Sequence, residues 1–153
     1  MSAPTPLLEI SPATAADLDA IAALEASLQT FPWSPGHFAD SLAAGHRLRV
    51  GRCAGVLAGF SVAMQVLDEA HLLDIAVGRP WQGRGCGAQL LAGVVAEATA
   101  AGARRVLLEV RRSNVQAIDF YTHHGFRQIG VRRAYYPAAI GREDALVFDK
   151  ELT

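Results

Sequence analysis

The segment Gln82-Gly83-Arg84-Gly85-Cys86-Gly87-Ala88 places three glycines in five positions ahead of a long apolar-periodic stretch. Missing side chains let successive backbone N–H groups approach an anion, and a helix starting there adds the positive end of its dipole, worth about 0.3–1 kcal/mol. A pyrophosphate suits such a loop; a merely tight strand-to-helix turn is the other use of the same glycines. Glu109 is a carboxylate inside the nearly continuous apolar run Arg105-Val106-Leu107-Leu108-Glu109-Val110. Burial there carries a desolvation cost; the alternative is an exposed strand face shared with Arg111.

Other chemistry is poorly represented. Lys150 is the only lysine, which argues against Schiff-base catalysis and a Walker phosphate loop. Cys53 and Cys86 form no CxxC or Cys/His ligand spacing, so no metal site is expected, and His37, His46, His71, His123 and His124 show no HExxH pattern. Cys86 at a helix start could resemble a thiol nucleophile, and Gly59-Phe60-Ser61-Val62-Ala63 loosely resembles a nucleophile elbow but lies inside a continuing strand. A relaxed dinucleotide fingerprint, Gly83-x-Gly85-x-x-Ala88 with Glu109 downstream, also fits the letters. It requires glycines directly after a strand, yet Gly78-Arg79-Pro80-Trp81-Gln82 intervenes after Val77.

The elements that must position these residues fit one domain spanning 1–153. The chain is 51% hydrophobic and 19% charged with a net charge of -1, enough to bury a core and too little positive charge to coat a nucleic acid. The first residues lack a basic and an apolar signal region, and the most apolar stretch, 55–67, is too short to span a bilayer, so a soluble cytoplasmic protein is expected. A short strand is predicted over Leu7–Ile10, then a helix from about Ala15 with Thr14 and Asp17 spaced as a capping box and Leu18, Ile21, Leu24 and Leu28 as its buried stripe. Ser34 and Pro35 start a second helix, with Phe38 and Leu42 on one face. Arg47–Cys53, Val56–Leu67 and Ala70–Val77 read as an antiparallel meander, Gly85 to about Ala101 as the longest helix, and Arg105–Val110 as a buried strand. A helix over Asn114–His124 stopped by Gly125, and strands over Phe126–Ala134 and Ala145–Glu151, complete an α/β (α+β) pattern.

The spacing Gln82-x-x-Gly85-x-Gly87, with Asn114, Tyr121 and Gly125-Phe126 after it, resembles the pyrophosphate motif and second cofactor-binding helix of the GNAT superfamily of N-acetyltransferases. Phe31-Pro32-Trp33-Ser34, Leu67-Asp68-Glu69-Ala70, Leu108-Glu109-Val110-Arg111, Ser113-Asn114, Arg133-Ala134-Tyr135-Tyr136-Pro137 and Gly141-Arg142-Glu143-Asp144-Ala145 resemble, more closely, its bacterial ribosomal-protein-alanine branch, the RimI type. The similarity runs along nearly the whole chain.

That resemblance implies a single GNAT-like domain: a mixed, mostly antiparallel sheet with a splayed parallel pair that binds acyl-CoA, flanked by about four helices. It implies acetyl transfer from acetyl-CoA to the α-amine of a protein N-terminus, typically the alanine of a small-subunit ribosomal protein. The sequence leaves the oligomeric state open, a monomer included, and no nucleic acid or membrane partner is expected. An α-ammonium has a reference pKa of about 7.7–8.0, so near neutrality something must accept its proton. Glu109 matches that base, acting directly or through water, the more so if burial raises its pKa. Tyr121 matches the donor to the departing thiolate, or is an ordinary helix-face aromatic. A backbone N–H on Ile75-Ala76-Val77 would face the thioester carbonyl, with Gln82, Gly83, Arg84, Gly85, Cys86, Gly87 and Ala88 on the cofactor phosphates. Asn114 is either a cofactor contact or a helix cap. Phe31, Trp33, Tyr135 and Tyr136 would line the acceptor groove or pack in the core; Glu143 and Asp144 would attract a positive N-terminus or simply form a loop. Gly83 and Ala88 depart from the family, which often has basic residues there. The alternatives are a CoA- or nucleotide-binding module without turnover, and transfer to lysine or small-molecule amines.

Overall fold

Leu48 and Val50 alternate with Arg47 and Arg49, and this period of two buries one face of a strand, β2 (Arg47–Cys53). The computed structural model describes residues 5–153, which form two compact units. One runs up to Met64 and takes in Leu72–Glu97; the other consists of Gln65–His71 and Ala98–Thr153.

In the first unit β1 (Glu9–Pro12), β2, β3 (Val56–Val66) and β4 (Glu69–Val77) are neighbours in that order. β1–β2 and β2–β3 are antiparallel. Ala54 and Gly55, at φ 49° and 81°, close the β2–β3 hairpin with the primed turn that matches strand twist. The expected opening strand over Leu7–Ile10 is displaced: β1 begins at Glu9 and runs through Pro12, because an edge strand tolerates the missing N–H of proline. The predicted helix start at Ala15 opens as a 3-10 turn, Ala15–Asp17, before α1 (Leu18–Leu28). The Thr14 amide donates to Asp17 Oδ2 at 2.8 Å, and that bond, before the Arg52 guanidinium, holds the Asp17 carboxyl below its usual range.

Ser34 caps α2 (Pro35–Ala43) by accepting from the His37 amide at 3.1 Å. Ile21, Phe38, Val50, Phe60 and Val62 are buried together, with Leu18, Leu24 and Leu28 packed against them as the α1 stripe requires. The Phe38 and Phe60 rings meet edge to face, centroids 5.4 Å apart. Leu8, Ala58, Cys86 and Leu90 form a second cluster under α3 (Cys86–Ala100).

In the second unit β5 (Arg105–Arg111), β7 (Arg142–Glu151) and β6 (Arg127–Pro137) lie in that order, antiparallel. β6 and β7 each run three residues past the predicted ends, to Pro137 and from Arg142, because a bulge between Arg132 and Tyr136 carries the pairing on. α4 (Val115–His123) ends where Gly125 takes φ 89° and Lys150, the lone lysine, donates to the His124 carbonyl at 2.9 Å, satisfying a helix end that favours a cation. Asp149, 2% exposed, receives Arg105 at 3.3 Å and Arg127 at 3.1 Å. Among the described residues no helix is long and apolar enough to cross a membrane.

Candidate active site

In the first unit the glycine loop follows β4 by way of a 3-10 turn, Arg79–Trp81. Gly59 on β3 permits the strands to approach: a Cβ there would lie 2.5 Å from the Ala76 carbonyl oxygen and 3.3 Å from Val77 Cα. The end of β4, with Ile75, Ala76 and Val77, is held from two sides, by the Gly78 amide donating to Ala58 O at 2.7 Å and by Gln82 Nε2 donating to Val77 O at 2.9 Å. Gln82 therefore fastens the loop to the strand through its side chain.

Gly83 and Gly85 have φ 72° and 86°, a region that costs an L-residue about 1–2 kcal/mol. The first α3 hydrogen bond runs from the Gln89 amide to Gly85 O at 3.2 Å. Cys86, Gly87 and Ala88 are thus the first helical positions, whose N–H groups have no intrahelical acceptor. Glycine at 85 brings no side-chain oxygen to cap them. Arg84 is exposed, its Nη1 3.5 Å from Pro80 O. The Cys86 thiol, 1% exposed in the Leu8 cluster, is pushed up by burial against a smaller lowering by Arg84, so only its backbone fits an anion site and the nucleophile reading has no support.

Between α1 and α2, Phe31 is 42% exposed, whereas Trp33 is half-buried and serves the core as well. The Trp33 ring stacks on His37 at 3.8 Å and 4° and meets Phe38 at 5.1 Å; its amide donates to Glu25 Oε2 at 3.1 Å.

In the second unit Glu109 lies opposite Val147 on β7, which lies opposite Gly130 on β6. Its side chain is 18% exposed, and Arg132 Nε is 3.2 Å from Oε1. The carboxylate is neither sunk in an apolar strand nor on an open face with Arg111, as the two sequence readings had it, but half-buried and ion-paired. Tyr121 on α4 is 8% exposed, its ring edge-on to Phe120 at 5.3 Å and Phe126 at 5.6 Å. Asn114 caps α4, Oδ1 accepting from the Ala117 amide at 3.2 Å.

The Tyr135 and Tyr136 rings meet edge to face at 4.9 Å, just past Ala134 at φ 52°. That turn is clamped: the Ala134 amide donates to Asp144 Oδ1 at 2.9 Å, and Arg142 donates to Ala134 O and Tyr135 O, each at 2.7 Å. The Arg111 guanidinium lies 4.5 Å over the Tyr136 ring and donates to Pro137 O at 2.7 Å. Glu143 accepts from the Ser113 amide at 2.8 Å and from Arg111 at 3.2 Å; Ser113, before Arg111, keeps its carboxyl below the usual range. Glu143 and Asp144 thus brace the tyrosines. The roles of Arg132 and Arg142 are not legible in the sequence, because their partners depend on strand register.

A cavity of about 340 Å³ lined by Asp68, Glu69, Arg104, Arg105, Glu151 and Leu152 contains none of the candidate residues. Among the described residues no group of three or more His, Cys, Asp or Glu is placed to hold a metal ion.

Residues 18–126 match the Acetyltransferase (GNAT) family. The chain is 38% identical over 138 residues to the ribosomal protein bS18-alanine N-acetyltransferase of Escherichia coli K12, covering 90% of this chain and 93% of that one. The crystal structure of the ribosomal-protein-S18-alanine N-acetyltransferase from Escherichia coli is similar with a TM-score of 0.89 and 35% identity, over 96% of this chain and 95% of that one. Arabidopsis thaliana Naa50, solved in complex with the bisubstrate analogue CoA-Ac-MVNAL, shares the fold at a TM-score of 0.81 and 21% identity, over 95% of this chain and 99% of that one. These likenesses carry the α+β fold expected from the sequence.

Proposed function

The chain belongs to the GNAT family of acetyltransferases, and from that membership we propose that it transfers acetyl from acetyl-CoA to the N-terminal alanine of a small-subunit ribosomal protein in the cytoplasm. The observation that carries the substrate is the 38% identity, over nine tenths of the chain, to an enzyme named for that acceptor.

The chain's own groups fit the cosubstrate and the reaction. The N–H groups of Cys86, Gly87 and Ala88, left open by Gly85, suit a pyrophosphate, with Gly83 and Arg84 beside them. Acetyl-CoA supplies an activated acyl carbon and a thiolate leaving group. Glu109 accepts the proton of the acceptor α-ammonium, directly or through water, freeing the amine to attack. A backbone N–H in Ile75–Val77 donates to the carbonyl oxygen as negative charge develops on it. The Tyr121 hydroxyl donates to the departing sulfur; full proton transfer from a phenol near pKa 10 to a thiol near 8.5 is uphill by about 2 kcal/mol, so donation without complete transfer is sufficient. Asn114 shapes the start of α4 for the cofactor. Phe31, Trp33, Tyr135 and Tyr136 supply rigid aromatic surface for the acceptor peptide.

The test is a screen of peptides with different first residues, incubated with acetyl-CoA and read by mass, including one with a blocked α-amine and a free lysine. Acetylation of alanine-first peptides alone supports the proposal. Acetylation of the blocked peptide moves the acceptor to lysine, and acetyl-CoA binding without turnover on any amine makes the protein a binding module.

A further inference from the structure

Two carboxyl groups of the first unit, one buried and one half-buried with a buried oxygen, have no part in the acyl-transfer chemistry. Glu25, in the last turn of α1, is 2% exposed, and Asp74 precedes Ile75 on β4. Glu25 Oε2 accepts from the Trp33 amide at 3.1 Å. Written as two carboxylates, the pair leaves Glu25 Oε1 and Asp74 Oδ2 buried with no hydrogen-bond partner. Asp74 is in hydrogen-bonding contact with Glu25 and with the Ile75 amide. A proton held between the two carboxyls turns a contact between two acceptors into an O–H···O bond. Burial first, and Glu25 second, push the Asp74 carboxyl well above the ordinary carboxylate range.

The surroundings are well defined. Glu25 reaches Asp74 from α1; the Trp33 amide of the α1–α2 link faces Glu25, and the Ile75 amide on β4 faces Asp74. On α2 the titratable neighbour is His37, stacked on the Trp33 ring, and Arg79 donates to Ser27 O near the end of α1 at 2.9 Å.

We propose that Glu25 and Asp74 share one proton and act as a positioning pair, holding the Phe31-Pro32-Trp33 segment in its acceptor-binding form through the Trp33 amide. Loss of the proton as pH rises leaves two like charges side by side, which separate, and the segment is released. Peptide binding then weakens while the acyl-transfer step is untouched. The acceptor half of this inference rests on Phe31 and Trp33 contacting the peptide; the shared proton does not.

The full-length protein provides both tests. In the wild type the KM for an alanine-first peptide rises about tenfold as pH rises and the pair loses its proton, with kcat and the acetyl-CoA KM following the same profile as in Asp74→Asn. Asp74→Asn keeps a donor to Glu25 that cannot ionise, so its peptide KM keeps only the pH dependence set by the peptide α-amine; a rise parallel to the wild type overturns the proposal. Separately, in a Trp81→Phe background without substrate, Trp33 emission shows a transition as pH rises that Asp74→Asn abolishes. Absence of that transition, or its persistence in Asp74→Asn, also overturns the proposal. Should Asp74→Asn fail to fold, Glu25→Gln replaces it in both measurements with the same expected loss of pH dependence. An emission transition with no peptide acetylated upholds the shared proton and places the failure in the acceptor assignment.

Discussion

Arg132 stands two residues along β6 from Gly130, whose partner Val147 is also the partner of Glu109, and its guanidinium reaches Glu109 Oε1 at 3.2 Å. Residues two apart on a strand share a face, so the pair lies across one face of the three strands. Arg132 thereby fixes where the proposed proton acceptor points. Glu109→Gln keeps the shape and removes the basicity, and is expected to lower kcat about 10²–10⁴-fold, with calorimetric acetyl-CoA affinity unchanged. Arg132→Ala misorients without neutralising and should cost less, about tenfold in kcat.

Tyr121 is a buried ring between Phe120 and Phe126, so Tyr121→Phe keeps the packing and removes only the hydroxyl. The thermal midpoint is expected to move by no more than a few degrees, with kcat down at least about tenfold, or about 1.4 kcal/mol. Tyr121→Ala instead opens a cavity and should cost about 3–5 kcal/mol of stability, measured by denaturant unfolding.

Gly85→Ala tests the anion loop. Its Cβ would sit at φ 86° and 3.0 Å from Thr5 Cγ2, so the turn must move and the α3 amides with it. The acetyl-CoA KM should rise about tenfold or more while the peptide KM stays within about twofold. Equal changes in both would place the effect elsewhere.

Arg142 and Asp144 hold the carbonyl and amide of Ala134, the left-handed residue before the tyrosine pair. Arg142→Ala should raise the peptide KM several-fold and leave the acetyl-CoA KM alone, the reverse of the Gly85 variant. Steady-state kinetics with each substrate varied in turn separates the two.

Stability should respond to pH in two opposite ways. Asp17, Glu97 and Glu143 have lowered carboxyls, through the Thr14 backbone, Arg49 and Ser113 respectively. Their contribution is present above the ordinary carboxylate range and is lost as pH falls through their folded values. Asp74 is raised, so its contribution is full below that range and is lost as pH rises toward its folded value. Urea unfolding of Asp74→Asn should therefore show a variant that gains on the wild type as pH rises above the ordinary carboxylate range, with no such gain below it.

Local signals were legible in the chain. The loop could be read from Gly83, Gly85 and Gly87 because left-handed backbone and open helix amides are decided within a few residues, and Ser34-Pro35 marked α2 for the same reason. The α1 stripe followed from its spacing alone. What escaped was set by register. Nothing near Arg132 in the chain points to Glu109, and Ala134 adopts φ 52° without a glycine or asparagine to announce it. Asp74 sits in a strand whose alternation gives no hint of a second carboxyl arriving from α1. β1 lies two residues beyond the expected Leu7–Ile10 because an edge strand accepts Pro12.

The most direct measurement is a single-turnover assay of acetyl transfer to an alanine-first ribosomal-protein peptide, read by mass, with wild type and Glu109→Gln both shown by calorimetry to bind acetyl-CoA. Rapid transfer to the α-amine by the wild type, and little by the variant at equal cosubstrate occupancy, is the expected result. Transfer at the same rate by both proteins would contradict the role of Glu109, and no transfer by either would contradict the proposed activity on this acceptor.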